Sequence, residues 1–186
     1  MDQITVISVF VVAFALLLPA FTQRFSRNPK LFRKIKYVIF GVYILANLHE
    51  TILFRDVYEE GVIKLIPFWS YVESISLSNG LRITNGPLLK QIVLNILLYI
   101  PLGYLLPFIW PKLQKGIVSW KVVLIGLMCS AATELSQMIF RIGWFEFDDM
   151  INNTMGCLIG CVMYGMICRW NTGEGIFFPK VRKKSK

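Results

Sequence analysis

The sequence has few of the residues from which small enzymes commonly build metal and nucleophile sites. Its 186 residues include 4 cysteines and 1 histidine, and no two cysteines form a C-x-x-C pair. The cysteines fall in apolar segments, where thiols usually behave as small hydrophobic side chains. Neither a disulfide framework nor a zinc site is therefore indicated. A P-loop, a dinucleotide-binding glycine loop and a recognisable nucleophile triad are also missing.

Charge is scarce, and acid is scarcer than base. Only 17% of the residues are charged, 55% are hydrophobic, and the mean hydropathy is +0.58. Because this is far too apolar for a soluble domain of this size, we expect one integral membrane domain over residues 1–186. The formal net charge of +9 is explained by basic cytoplasmic flanks, and a nucleic-acid partner is not expected.

Five apolar runs are long enough to cross a membrane. The first run follows an acid and precedes a basic segment, the reverse of a secretory signal, so we expect it to be a retained span. The sequence thus predicts an all-α, polytopic membrane helical bundle with spans at about residues 4–21, 37–54, 88–110, 117–139 and 150–170.

The charges of the loops alternate along the chain. Residues 22–36, the connection after the third span and the tail 171–186 are basic, whereas the loop 55–87 and the segment before the fifth span are mixed or acidic. The positive-inside rule then places the N-terminus outside and the C-terminus in the cytoplasm. Because the loop 55–87 carries interfacial aromatic residues, we expect part of it to lie along the outer membrane surface or to dip into the bundle.

Polar and ionisable side chains inside spans are costly unless they are paired or hydrated. In the predicted topology these residues all lie in the outer half of the membrane or at its outer surface, which indicates a polar cavity that opens outward. Spacing places one group on a shared face of the fourth span and another on a shared face of the fifth. The first group is Glu134, Gln137 and Arg141, and the second is Asp149, Asn153, Gly156 and Gly160.

The residue types suggest roles in binding or chemistry. Arg55 and Arg141 are forked donors suited to phosphate or carboxylate. Glu134, Asp148 and Asp149 could act as a general base or hold a divalent cation, the one cofactor that the residues suggest. Amide side chains can orient a polar head group, and the candidates for this role are Asn95, Gln137 and Asn153.

A purely structural account remains open for the same residues. Glu134 and Arg141 could pair within one helix, and Asp148 with Asp149 could cap a helix N-terminus. Asn95 could join two helices by a hydrogen bond, and the G-x-x-x-G spacing of the fifth span is typical of helix packing and permits a helix pair between two copies.

An ordered set of short motifs resembles the VanZ-like family of small bacterial membrane proteins. Two residues depart from the usual family pattern, since Lys64 stands where Asn is common and Glu146 where Asp is usual. The matching motifs are "TILFR" (51–55), "LIPF" (65–68), "NILLYIPLGYLLP" (95–107), "ELSQ" (134–137) and "RIGWFEFDDMINNTMG" (141–156).

The resemblance implies a link to the Gram-positive cell envelope and to resistance against glycopeptides, especially teicoplanin. Together with the polar residues, it predicts a multi-pass protein of a bacterial plasma membrane that acts at the outer leaflet on a lipid-linked, phosphate-bearing envelope precursor. Whether the protein modifies this partner or only binds it stays open. The alternative is a non-enzymatic protein that shields a cell-wall target or a lipoglycopeptide, and for that role the loop around Trp69 and Tyr71 would matter more than the carboxylates.

Overall fold

The computed structural model describes residues 29–53, 57, 62–76, 82–114 and 116–171. The first predicted span, Arg55 and the basic tail beyond residue 171 lie outside them.

The described chain is built from helices joined by very short strands. Helix α1, Pro29–Leu48, continues into a π-helical turn, His49–Leu53. The short helix α2 follows at Trp69–Ser74. The three long helices are α3 (Gly86–Ile109), α4 (Trp120–Ile139) and α5 (Phe147–Asn171), with a 3-10 turn at Pro111–Leu113 between α3 and α4.

Two pairs of two-residue strands lie outside the helices. Strand β1, Ile63–Lys64, pairs in parallel with β4, Phe145–Glu146. Strand β2, Ile75–Ser76, pairs antiparallel with β3, Arg82–Ile83. The first pair joins the segment before α2 to the start of α5.

Three of the described helices are long and apolar enough to cross a membrane, namely Gly86–Ile109, Trp120–Ile139 and Phe147–Arg169. They confirm the helical class and correspond to the third, fourth and fifth predicted spans. The second predicted span coincides with the end of α1 and its π-helical turn, although α1 begins earlier, inside the basic segment. The count of five spans and the orientation of the chain stay predictions.

Glycines bring the backbones of α3 and α5 into direct contact. A Cβ atom added at Gly156 would lie 2.1 Å from the Ile96 carbonyl oxygen, and one at Gly160 would lie 1.9 Å from that of Ile100. Because the residue numbers rise together, the two helices run in the same direction. The G-x-x-x-G face of α5 is thus occupied by α3 of the same chain, so this face does not join two copies.

Helix α4 packs against α5 in the opposite direction. The Asn153 amide nitrogen donates to the Ser130 hydroxyl oxygen at 2.9 Å, and a Cβ atom at Gly126 would meet the Cys157 sulfur at 2.4 Å. Cys157 and Cys161 are free thiols in the hydrophobic core, as expected of cysteines in apolar segments. Helix α1 joins this core through Tyr43, whose hydroxyl donates to the Leu98 carbonyl oxygen at 3.1 Å.

Gly160→Ala should destabilise the fold by at least about 3 kcal/mol, the upper end of the cost of overpacking, because its methyl group meets backbone rather than a movable side chain. Thermal unfolding of the full chain in detergent measures this effect. Gly41→Ala is the matched control, since nothing lies within 4 Å of a Cβ atom there and alanine is the better helix former. Equal melting temperatures for the two variants would contradict the tight contact.

Candidate functional site

Four carboxylates meet where α3 and α5 begin and α4 ends, a region that we call the carboxylate end. Glu134, Glu146, Asp148 and Asp149 are all less than a tenth exposed. Three of them were predicted site residues, and the structure links them through the fourth, Glu146. They lie beneath the segment 62–76, to which Asp148 and Glu146 are bound.

Asp148 holds the short helix α2 in place. Its carboxylate accepts hydrogen bonds from the Phe68 amide at 2.6 Å, the Ser70 amide at 2.9 Å and the Ser70 hydroxyl at 2.6 Å. Phe68 precedes α2 with a φ of 63° and provides no cap of its own. The predicted capping role of Asp148 is therefore realised on a different helix from its own, one that lies about 80 residues earlier in the chain.

Glu134 positions the strand that carries Glu146. One Glu134 carboxylate oxygen accepts a hydrogen bond from the Glu146 backbone amide at 3.0 Å. On the other side, the Phe145 amide donates to the Val62 carbonyl oxygen at 2.9 Å, and Lys64 and Glu146 are direct partners in the β1–β4 pair. Glu134 thus fixes the backbone at the entrance of α5.

Gln91 connects Glu146 to Asp149. Its amide nitrogen donates to a Glu146 oxygen at 3.3 Å and to an Asp149 oxygen at 3.0 Å. Burial, reinforced by the charges of Asp149 and Asp148, raises the pKa of Glu146 to about 7, against the opposing effects of Lys64 and the Gln91 hydrogen bond. This carboxyl group therefore changes its charge near neutral pH.

Lys64 brings a positive charge to the strand pair. Its ammonium lies 3.5 Å from the ring centroid of Trp69 and 4.1 Å from that of Trp144. Two indole faces stabilise the cation through their quadrupoles. The arrangement keeps Lys64 beside Glu146 without a direct ion pair between them.

Amide side chains lie one helical turn further into the bundle. The Gln91–Asp149 contact and the Ile96–Gly156 contact fix the register of α3 against α5, so Asn95 lies level with Asn152 and Asn153. Their buried atoms without a hydrogen-bond partner among the described residues are Asn95 Nδ2, Asn152 Nδ2 and Asn153 Oδ1.

The segment 62–76, which contains α2, covers these amides, and we call it the roof. The Tyr71 hydroxyl donates to Asn152 Oδ1, and burial together with the charges of Asp148 and Asp149 raises the pKa of Tyr71, which keeps this donor protonated. Trp69 Nε1 is a further buried donor without a partner among the described residues. The predicted site residues Asn95 and Asn153 thus lie in the interface between the long helices, one helical turn further into the bundle than the acids.

Gln137 joins α4 to the turn after α1. Its amide nitrogen donates to the Thr51 carbonyl oxygen at 2.9 Å, a carbonyl in the π-helical turn after α1. This hydrogen bond is enough to explain why a buried amide stands near the end of α4, because it joins α4 to α1.

The prediction that Arg141 shares a helix face with Glu134 and Gln137 is wrong. Helix α4 ends at Ile139, and Arg141 has a φ of 56°. Its amide donates to the Met138 carbonyl oxygen at 3.2 Å, and the next amide donates to that of Gln137 at 3.0 Å. These two bonds form a Schellman motif in which an arginine occupies the left-handed position that usually takes glycine.

The side chain of Arg141 does not pair with the buried acids. It is exposed, and it forms no ion pair with any carboxylate of the described residues. The pairing of Arg141 with Glu134, left open by the sequence, is therefore not found among the described residues. Arg55, the other arginine predicted for the site, lies outside the described residues.

Sequence reasoning did not single out Gln91 or Lys64, and it noted Asn152 without assigning it to the site. Gln91 could have been found, because it stands four residues before Asn95 in a mostly apolar helix and so shares its face. Lys64 gave no such signal, because only the β1–β4 pairing brings it beside Glu146.

The described residues contain no group of three or more His, Cys, Asp or Glu side chains arranged to hold a metal ion. An apolar groove of about 230 Å³ lies on the opposite side of α5 from the acids, lined by Leu127, Phe147, Met150, Ile151, Thr154 and Met155.

These features define a helical protein with membrane-spanning candidates and a buried carboxylate cluster at one end of the bundle. The VanZ/LLP1 family model matches residues 6–169, so the chain belongs to the VanZ/LLP1 family. This match confirms the family resemblance seen in the motifs. No curated protein and no solved structure matches the chain.

Asp148→Ala should release α2, because each buried donor left unsatisfied costs about 1–3 kcal/mol. Hydrogen exchange of the amides in residues 68–74 should accelerate strongly. The exchange rate in Asp148→Asn should lie between those of the parent and Asp148→Ala, because asparagine keeps one acceptor oxygen. Glu73→Ala, which removes an exposed carboxylate from the same helix, should leave the exchange unchanged. Unaltered protection in Asp148→Ala would contradict the capping role.

Proposed function

We propose that this protein acts at the outer leaflet on a lipid-linked, phosphate-bearing precursor of the cell envelope and thereby contributes to resistance against teicoplanin-type glycopeptides. Family membership supports a membrane protein linked to resistance. The single observation that carries the proposal further is Arg141, an exposed cation in a strained backbone position in the turn between α4 and β4.

A left-handed conformation costs a residue other than glycine about 1–2 kcal/mol. Arginine gains nothing from this position in the described structure, because the Schellman hydrogen bonds use only its backbone. A guanidinium is a bidentate phosphate donor. A phosphate-bearing partner at the carboxylate end explains why arginine, rather than glycine, stands at this turn.

The distribution of charge supports an outward orientation of the carboxylate end. Lys112 and Lys121 lie at the opposite end of the bundle, in the 3-10 turn and in the first turn of α4. Since short basic connections stay in the cytoplasm, the carboxylate end then faces the outer leaflet, where envelope precursors are used.

Apolar side chains on the roof support contact with lipid. Leu65, Ile66, Phe68 and Val72 are each more than half exposed. A cluster of exposed apolar residues is unfavourable in water and favourable in the membrane interface. A roof inserted in this way would place the head group of a lipid-linked partner next to Arg141 and the carboxylates.

Arg141→Gly separates function from folding. Glycine adopts the left-handed position without strain. The variant should therefore be as stable as the parent or up to about 1 kcal/mol more stable. It should nevertheless lose teicoplanin protection. Protein level, melting temperature in detergent and the minimal inhibitory concentration in an expressing host measure the three effects.

Arg82→Ala is the matched control, because it removes another exposed cation. Arg82 lies on β3, the strand that precedes α3. It should leave protection intact. Full protection in Arg141→Gly at normal protein level would contradict a phosphate-binding role. Glu134→Gln keeps an acceptor oxygen for the Glu146 amide, so it should retain the protein level and most of the protection.

A second candidate function is non-enzymatic shielding of a cell-wall target or a lipoglycopeptide, and the exposed apolar roof favours it. Trp69 and Tyr71, expected to serve this role, instead make contacts inside the protein with Lys64 and Asn152. A shield would therefore depend on the outward side chains of Ile66, Phe68 and Val72.

Phe68→Asn tests the shield directly. Asparagine tolerates positive φ, so the variant should fold while it loses the exposed ring. Under the shielding mechanism, protection should fall and Arg141→Gly should have no effect. Ile83→Asn, an exposed apolar position on β3, is the control and should retain protection. Protection that survives Phe68→Asn but not Arg141→Gly would reject the shield.

A further inference from the structure

We infer that Glu146 and Asp149 form a carboxyl–carboxylate pair that shares one proton at neutral pH and is the acid–base group of the proposed site. The inference rests on the proposed function, because it names the residues that would exchange a proton with a ligand oxygen there. Neither Glu134 nor Asp148 has this role.

The other two acids are occupied by backbone donors. Asp148 accepts from two amides and one hydroxyl, and Glu134 accepts from the Glu146 amide. Their hydrogen bonds hold α2 and β4, so protonation of either would release a structural element. They are positioning residues in this arrangement.

Geometry selects Glu146 and Asp149 as the pair. Both carboxylates accept from the same nitrogen of Gln91, at 3.3 and 3.0 Å, which brings two buried acids to one donor. The charge of Asp149 raises the pKa of Glu146, and one proton held by the pair removes the repulsion between the two acids.

A second and independent observation indicates a ligand beside the pair. Asn152 is 0% exposed, and its amide nitrogen has no hydrogen-bond partner among the described residues. It lies three residues after Asp149, so the two side chains are neighbours on the helix surface. A buried donor without an acceptor is costly, and a ligand oxygen placed next to the pair would satisfy it.

The surrounding charges determine the direction of the effect. Burial and the negative charge of Asp149 raise the pKa of Glu146 to about 7, and Lys64 opposes them. Among the residues that the structure describes, the other ionisable groups near the pair are Glu134 on α4, Asp148 on α5 and Tyr71 on α2, while Lys90 beside Gln91 is exposed. Since the folded carboxyl holds its proton above the ordinary pKa of 4.5, this group's contribution to stability falls as the pH rises from 4.5 to about 7.

Infrared spectroscopy of the full-length protein in lipid nanodiscs tests the pair without any ligand. The parent should show a protonated-carboxyl band that disappears with a midpoint near pH 7, and Glu146→Gln should lack this band. Asp149→Asn removes a negative neighbour and should move the midpoint to lower pH, whereas Lys64→Met removes a positive one and should move it to higher pH. Glu73→Gln, at an exposed position, should leave the titration unchanged.

Three outcomes overturn the inference. The first is a protonated-carboxyl band that persists in Glu146→Gln. The second is a titration midpoint that stays the same in both Asp149→Asn and Lys64→Met. These two variants decide the matter if Glu146→Gln fails to fold. The third is full teicoplanin protection in a folded Glu146→Gln protein, which rejects the acid–base role while Arg141→Gly continues to test the proposed function. Conversely, retained protection in Arg141→Gly together with the expected titration would reject the proposed function and leave the proton-sharing pair intact.

Discussion

The contact between the backbones of α3 and α5 is the constraint on which the carboxylate end depends. Gly156 and Gly160 allow the Ile96 and Ile100 carbonyls to lie where a side chain would otherwise be. This close approach fixes the register of the two helices, and the register brings Gln91 opposite Asp149. Small residues at such interfaces provide packing where the membrane offers no hydrophobic driving force. The polar contacts at the end of the bundle are therefore positioned by glycines that carry no chemistry.

The long helices could be predicted from the sequence because their apolar length is a direct physical requirement. The third to fifth predicted spans correspond to α3, α4 and α5 with small shifts at their ends. The choice of polar residues also came close, because a buried acid is costly wherever it stands. Glu134, Asp148 and Asp149 were singled out on that cost, and the structure brings them to one end of the bundle.

The hydrogen-bond partners of the polar side chains and the ends of the helices could not be predicted in the same way. Arg141 continues the i, i+3, i+7 pattern of α4 in the sequence, yet a Schellman motif ends the helix two residues earlier. No periodicity signals that arginine will adopt a left-handed conformation, since glycine is the usual residue there. Asp148 was expected to favour its own helix N-terminus, but its acceptors serve α2, and that pairing depends on tertiary structure alone.

Lys64 and Glu146 show how two departures from the family pattern can explain each other. Each looked like an isolated change in the sequence, the first from a common Asn and the second from a usual Asp. In the structure they are direct partners across the parallel β1–β4 pair. A longer acid reaches Gln91 from the strand, and a lysine held between Trp69 and Trp144 offsets part of the added negative potential. Because the cation is held by aromatic faces and not by a direct ion pair, it moderates the proton affinity of Glu146 without abolishing it. The two residues together therefore leave Glu146 with a pKa near 7, whereas a direct salt bridge would lower that pKa further.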